Sequence, residues 1–103
     1  MPDLLHSDFA DDPDMLDLIE LFLDDLPERA AALQQAAALP ERTPLMRLAH
    51  QLKGAAGGYG YPTISEAAAE LEHAQTRDSI LTNVRRVVSL CRAAVAARPQ
   101  RAA

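Results

Sequence analysis

The chain has 103 residues, Lys+Arg 10 against Asp+Glu 15, and a formal net charge of −5. That length suits a single domain, 1–103, burying roughly 60 to 70% of its unfolded surface, and the acidic balance argues against a general nucleic-acid binder. Cys91 has no disulfide partner and no apolar run is long enough to span a membrane, so a soluble protein of the reducing cytoplasm is expected.

Aromatic residues are only 4% of the chain and alanine is abundant, so the core must come from Leu, Ile, Val, Met and Ala at close spacing. That composition favours packed helices over sheets. Leu4, Leu5 and Phe9 are placed to form a short N-terminal capping turn across one end. The first helix opens at Asp11-Asp12-Pro13-Asp14, with Asp12 as cap, Pro13 at the first helical position and the acidic cluster facing the positive helix end. Met15, Ile19, Phe22, Leu23, Leu26, Ala30, Leu33 and Ala37 step by three and four along one stripe. Pro27 lies inside that pattern and predicts a bend rather than a stop.

Leu39-Pro40-Glu41-Arg42 breaks the pattern, and Thr43-Pro44 supplies a second cap with proline at the first helical position; the second helix is predicted from Pro44 to Tyr59. After Tyr61-Pro62, the spacing Thr63-x-x-Glu66 is that of a capping box opening a short third helix that ends near Gln75. Asp78 caps the fourth helix, whose Ile80, Val84, Val87, Val88, Cys91 and Val95 again repeat at helical spacing, and Arg98-Pro99-Gln100-Arg101 ends it. Short connections make neighbours antiparallel. The fold class is therefore all-α, an up-down-up-down four-helix bundle.

The second helix carries the chemistry. Leu45, Leu48, Leu52, Ala55 and Tyr59 mark its core-facing stripe, with Ala49 and Ala56 on the buried flank, and His50 falls about 170° from the stripe's centre at 100° per residue. Gly54 and Gly57 lie on His50's side, with Met46, Arg47, Lys53 and Tyr61 beside them facing solvent. Each of Gly54, Gly57 and Gly58 costs about 0.8 to 1 kcal/mol relative to alanine inside a helix, so a reason is needed. The absence of side chains one and two turns after His50 lets another protein's backbone approach the imidazole; close packing against a neighbouring helix is the alternative. An exposed neutral imidazole is a nucleophile, and Lys53, one turn along, supplies positive charge suited to a phosphoryl group.

The run Leu48-Ala49-His50-Gln51-Leu52-Lys53-Gly54-Ala55-Ala56-Gly57-Gly58-Tyr59-Gly60 resembles the signature of histidine-containing phosphotransfer (HPt) domains, A-H-x-L-K-G followed by small residues and a glycine. Phe22-Leu23 through Pro27 is similar to that family's first long helix, and Ile64 through Leu71-Glu72 to the helix after the active one. The resemblance implies a phosphorelay intermediate without kinase activity, in which His50 accepts a phosphoryl group from a receiver-domain aspartate and passes it to another. It further implies that Lys53 steadies the phosphorylated imidazole and that Gly54 clears a docking surface. Met46, Arg47 and Gly57 are expected to complete that surface, with Gln51, at a variable position of the motif, only flanking it.

The partners so implied are response-regulator receiver domains and a hybrid histidine kinase. No cofactor or metal is expected on this chain, the Mg²⁺ of the transfer belonging to the receiver partner. Glu70-x-x-His73 is one half of a di-metal helix motif, but Arg47 stands three residues before His50 where a second such Glu would be needed. The chain lacks a Gly-rich phosphate loop, and a non-phosphorylated helical adapter that binds receiver domains is the alternative reading. Arg85, Arg86 and Arg92 are expected to face solvent, partly paired with carboxylates of the first helix. A monomer is expected because no long exposed apolar stripe is left over. Met1 and a complete set of caps favour an independent unit, and either direction of phosphoryl flow is open.

Overall fold

The computed structural model describes residues 5–99, which form four helices in the order α1 (Pro13–Ala37), α2 (Thr43–Gly58), α3 (Pro62–His73) and α4 (Arg77–Ala96). There is no strand among the described residues. Each helix packs against two neighbours, α1 on α2, α2 on α3, α3 on α4 and α4 on α1, with no diagonal contact. The result is a closed ring of four antiparallel helices. Two arginines lace one end: Arg77 donates to the Ala37 carbonyl oxygen at 2.7 Å, and Arg42 donates to that of Ala74. At the other end Arg98, just past α4, reaches Asp24 of α1 at 2.7 Å.

The stripe read from α1 is the one that is buried: Ile19, Phe22, Leu23, Leu26, Ala30, Leu33 and Ala37 are covered, joined by Ala36, with Met15 half-buried. Asp12 caps this helix as expected, its carboxylate accepting from the Asp14 N–H at 3.0 Å, and α1 runs through Pro27 without stopping. The other caps differ. Thr43 is the first residue of α2, whose N-cap position is Arg42 with no side-chain cap, and the proline falls in the first turn, where a missing N–H is harmless. Thr63 and Glu66 form no capping box: Pro62 opens α3, so the boundary falls at Tyr61. In α4 the cap is Thr76, not Asp78; its backbone is extended and its hydroxyl accepts from the Ser79 N–H at 3.0 Å, which leaves Asp78 in the first turn.

Helices α2 and α3 end at Gly58 and His73, one and two residues short of the expected Tyr59 and Gln75. Helix α4 closes at Ala96, and of the expected stop signal Gln100 and Arg101 lie outside the described residues. Of the basic residues on α4, Arg86 pairs with Glu70 of α3, not with the first helix. Among the described residues Arg85 and Arg92 form no ion pair and are exposed. The apolar surface is less tidy than expected, since Leu18 is 43% and Leu21 65% exposed on α1.

The turn between α2 and α3 is held by the N-terminal segment. Ser7, buried, donates its hydroxyl to the Tyr59 carbonyl at 2.6 Å, and the Asp8 N–H donates to the Gly60 carbonyl at 2.7 Å. Gly60 has φ +86°, and a Cβ there would lie 2.5 Å from Ser7 Oγ and 3.0 Å from the Asp8 nitrogen, so only glycine fits. Leu5 packs against the core and Phe9 stays 40% exposed; Leu4, the third residue of the expected capping turn, lies outside the described residues.

Candidate functional site

Helix α2 turns Leu45, Ala49, Leu52 and Ala56 fully inward. Leu48, Ala55 and Tyr59, expected in that stripe, are half-buried flanks instead. The reason is the neighbour: α2 and α3 share the most extensive contact in the bundle, and both helices bury small residues, Ala49 and Ala56 on α2 and Ala67 and Ala68 on α3, all fully covered. This rotation fixes the opposite face. His50 projects there with its side chain 69% exposed.

Across the α2–α3 seam Glu72 meets the imidazole. Its Oε2 lies 2.8 Å from His50 Nδ1, and its Oε1 lies 3.9 Å from Lys53 Nζ. A carboxylate only accepts hydrogen bonds, so Nδ1–H donates to Glu72, which in the neutral ring leaves the lone pair on Nε2. Glu72 is itself held by α3, which is tied to α2 where Ser65 Oγ donates to the Lys53 carbonyl at 2.8 Å. The arrangement orients the imidazole, fixes its tautomer and places a cation one turn along.

Glu72 is the His50 partner that the sequence pattern did not single out, although a signal existed. In an antiparallel hairpin, residues equidistant from the turn face each other; with Tyr61 as pivot, 61 − 11 is His50 and 61 + 11 is Glu72. Of the positions expected to surround His50, Arg47 and Gln51 are exposed on the same side, whereas Met46 is half-buried against the core. Arg47, Met46 and Glu72, with Arg42 and Thr43, line an open recess of about 650 Å³ beside the histidine. Tyr61 is not on the solvent side. It is fully buried, its ring 5.7 Å from that of Phe22, because the helix has ended at Gly58 and the positive φ of Gly60 turns the chain inward. Its hydroxyl has no hydrogen-bond partner among the described residues, and burial pushes the phenol up from its ordinary value near 10.

The glycines beside His50 have no internal justification. A Cβ on Gly54 or Gly58 would meet nothing within 4 Å, and one on Gly57 would make an ordinary contact with Ser65 Oγ at 3.5 Å. Packing against a neighbouring helix therefore does not explain them. Gly54, Gly57 and Gly58 are all exposed and leave a low, smooth surface beyond the imidazole. Beneath this end of α2 the Phe22 ring of α1 stacks on Tyr59 at 5.0 Å.

A family model described as the Hpt domain matches residues 17–99, which spans all but the first residues of the bundle. The chain belongs to the Hpt domain family. Neither the curated proteins nor the solved structures gave a match. Hpt domains are the phosphotransfer modules of phosphorelays, where they meet receiver domains and kinases, and membership supports a histidine phosphotransfer role for this one. No helix among the described residues is long and apolar enough to cross a membrane.

Proposed function

We propose that this Hpt domain relays a phosphoryl group through His50, accepting it from the aspartyl phosphate of one receiver domain and passing it to the aspartate of another. The observation that carries this reading is the Nδ1–Glu72 hydrogen bond on an exposed imidazole, which leaves Nε2 as the free nucleophilic atom. In the forward step the Nε2 lone pair attacks phosphorus, an N–P bond forms, and the P–O bond to the aspartate breaks with its electrons leaving on the carboxylate. The proton on Nδ1 stays where it is. The phosphorylated ring is then cationic, and the Glu72 carboxylate at 2.8 Å offsets that charge. Lys53 faces the phosphoryl oxygens from one turn along. The reverse step returns the group to a second aspartate by the same path.

The receiver docks over Gly54, Gly57 and Gly58, where its backbone can come close, with Arg47, Gln51 and the half-buried Met46 beside them. Such an interface is modest in area, as a relay that must release each partner requires. The Mg²⁺ of the transfer is held by the receiver. On this reading the domain is an intermediate and not a kinase.

The test is incubation with a phosphorylated receiver domain and Mg²⁺, following label onto this protein. Acid-labile, alkali-stable label on the wild type, and none on His50→Gln that still binds the receiver, is the expected result. Equal label on His50→Gln overturns the assignment of His50, and receiver binding with no label on either protein favours a non-phosphorylated adapter.

A further inference from the structure

The side of the bundle opposite His50 carries a second built surface. Along the α1–α4 seam two cavities of about 270 and 440 Å³ adjoin, sharing Gln34 and Arg92 as lining residues. Their floor is apolar, made by Val84, Val88 and Cys91 of α4, all buried, with Ala30 and Ala37 of α1. Small residues on α1 leave the seam open; Ala31 is exposed on its wall. From Leu81 to Ala96 the groove runs about 22 Å along α4 at 1.5 Å per residue, the length of four helical turns.

The rim of this groove is positively charged and uncompensated. Arg85 and Arg92 stand two turns apart on one face of α4, both exposed and with no ion pair among the described residues. The cause is in the sequence of α1. Its acidic residues Asp14, Asp17, Glu20, Asp24, Asp25 and Glu28 all precede residue 29, and residues 29–37 contain no Asp or Glu. Arg98, opposite the acidic half, finds Asp24 at 2.7 Å; Arg85 and Arg92, opposite the half without carboxylates, face Gln34 and alanines. The nearest acid on α4 is Asp78, in the first turn and two turns before Arg85. In a chain of net charge −5, this is a local cationic site over an apolar floor.

We propose that the α1–α4 groove docks an acidic amphipathic helix of a partner protein, its apolar ridge on Val84 and Val88 and two carboxylates seven residues apart on Arg85 and Arg92. Charge complementarity selects the occupant: a helix presents side chains at i and i+7 on one face with the spacing of the two arginines, and each guanidinium binds a carboxylate through paired N–H donors. Because the groove lies on the α1–α4 side and His50 on the α2–α3 side, a bound helix leaves the imidazole open. The partner is held while the phosphoryl group is exchanged.

The experiment titrates the protein with a synthetic amphipathic peptide of about 16 residues carrying Leu on one face and Glu at positions seven apart, and with the same peptide bearing Lys for Glu. The expected result is saturable binding of the Glu peptide alone, with amide shifts confined to α1 and α4, weakened about tenfold in an Arg85→Ala, Arg92→Ala double variant of unchanged helicity. Phosphoryl transfer to His50 in that variant stays at the wild-type rate. Equal affinity for the Lys peptide, unchanged affinity in the double variant, or shifts centred on the His50 face would each overturn the proposal.

Discussion

The two outer seams of this bundle are built from similar residue types and end in opposite states. At α2–α3 the alanines are fully buried in the most extensive helix contact of the bundle, and the polar groups His50, Lys53 and Glu72 meet on the outside in one connected set. At α1–α4 the alanines Ala30 and Ala37 floor an open seam with Ala31 exposed on its wall, while the charges of Arg85 and Arg92 on its rim form no ion pair among the described residues. The difference teaches that a small residue has no fixed meaning in a helical bundle. Turned inward it draws two backbones together and so registers groups across them; turned to the edge it leaves room for a further element.

The largest effect that tests this contrast comes from putting one bulky side chain on each seam. Gly54→Trp, in open space beside His50, should fold normally and slow phosphoryl transfer by about a hundredfold or more, since misplacing reactants by about an ångström costs that much. Ala31→Trp, on the groove wall, should leave the transfer rate within about twofold, as surface changes away from a site do. Single-turnover transfer from a labelled receiver separates the two; equal losses would erase the functional distinction between the seams.

Removing the link across the α2–α3 seam should have a somewhat smaller effect. Glu72→Ala frees Nδ1 and should slow transfer by roughly tenfold to a hundredfold, the range for losing a partner that orients a reactive imidazole. Glu72→Gln, which still accepts the Nδ1–H, should recover part of that loss. A purely structural Glu72 would instead lower the melting temperature in both variants and leave the rate alone.

The smallest effect belongs to the groove side and is silent near neutral pH. Burial pushes the Cys91 thiol up from its ordinary value near 9 to about 11. Because the folded state holds this proton more tightly than the unfolded chain, its stabilising contribution is intact below pH 9 and is lost between about pH 9 and 11. The loss should be on the order of 2 kcal/mol, and Cys91→Ala should flatten the alkaline limb of a denaturation series.

Much of this was legible in the sequence, because periodicity reports one helix at a time. The α1 stripe and its Asp12 cap, the four-helix order, and the exposure of His50, Gly54 and Gly57 all follow from spacing within a single element. What was not legible depends on two elements at once. Glu72 is invisible until the α2–α3 register is known. Tyr61 was misplaced by continuing a helical wheel past Gly58, where the chain had left the helix. Thr43, Thr63 and Asp78 failed as caps because each good capping residue lies within two positions of another admissible helix start, and proline tolerates either choice.

The arginine lacing described at one end has a bearing on how the protein comes apart. Neither Ala38 nor Ala74 is a glycine, and α1 has no basic residue in its last turn, so the Ala37 and Ala74 carbonyls have no glycine terminator beside them. They borrow one instead, from Arg77 forty positions along and from Arg42 thirty-two positions back. A helix finished by a side chain of another helix is complete only inside the assembled ring. Fraying at this end and loss of the tertiary fold are therefore a single event, and the four helices share one melting transition instead of four.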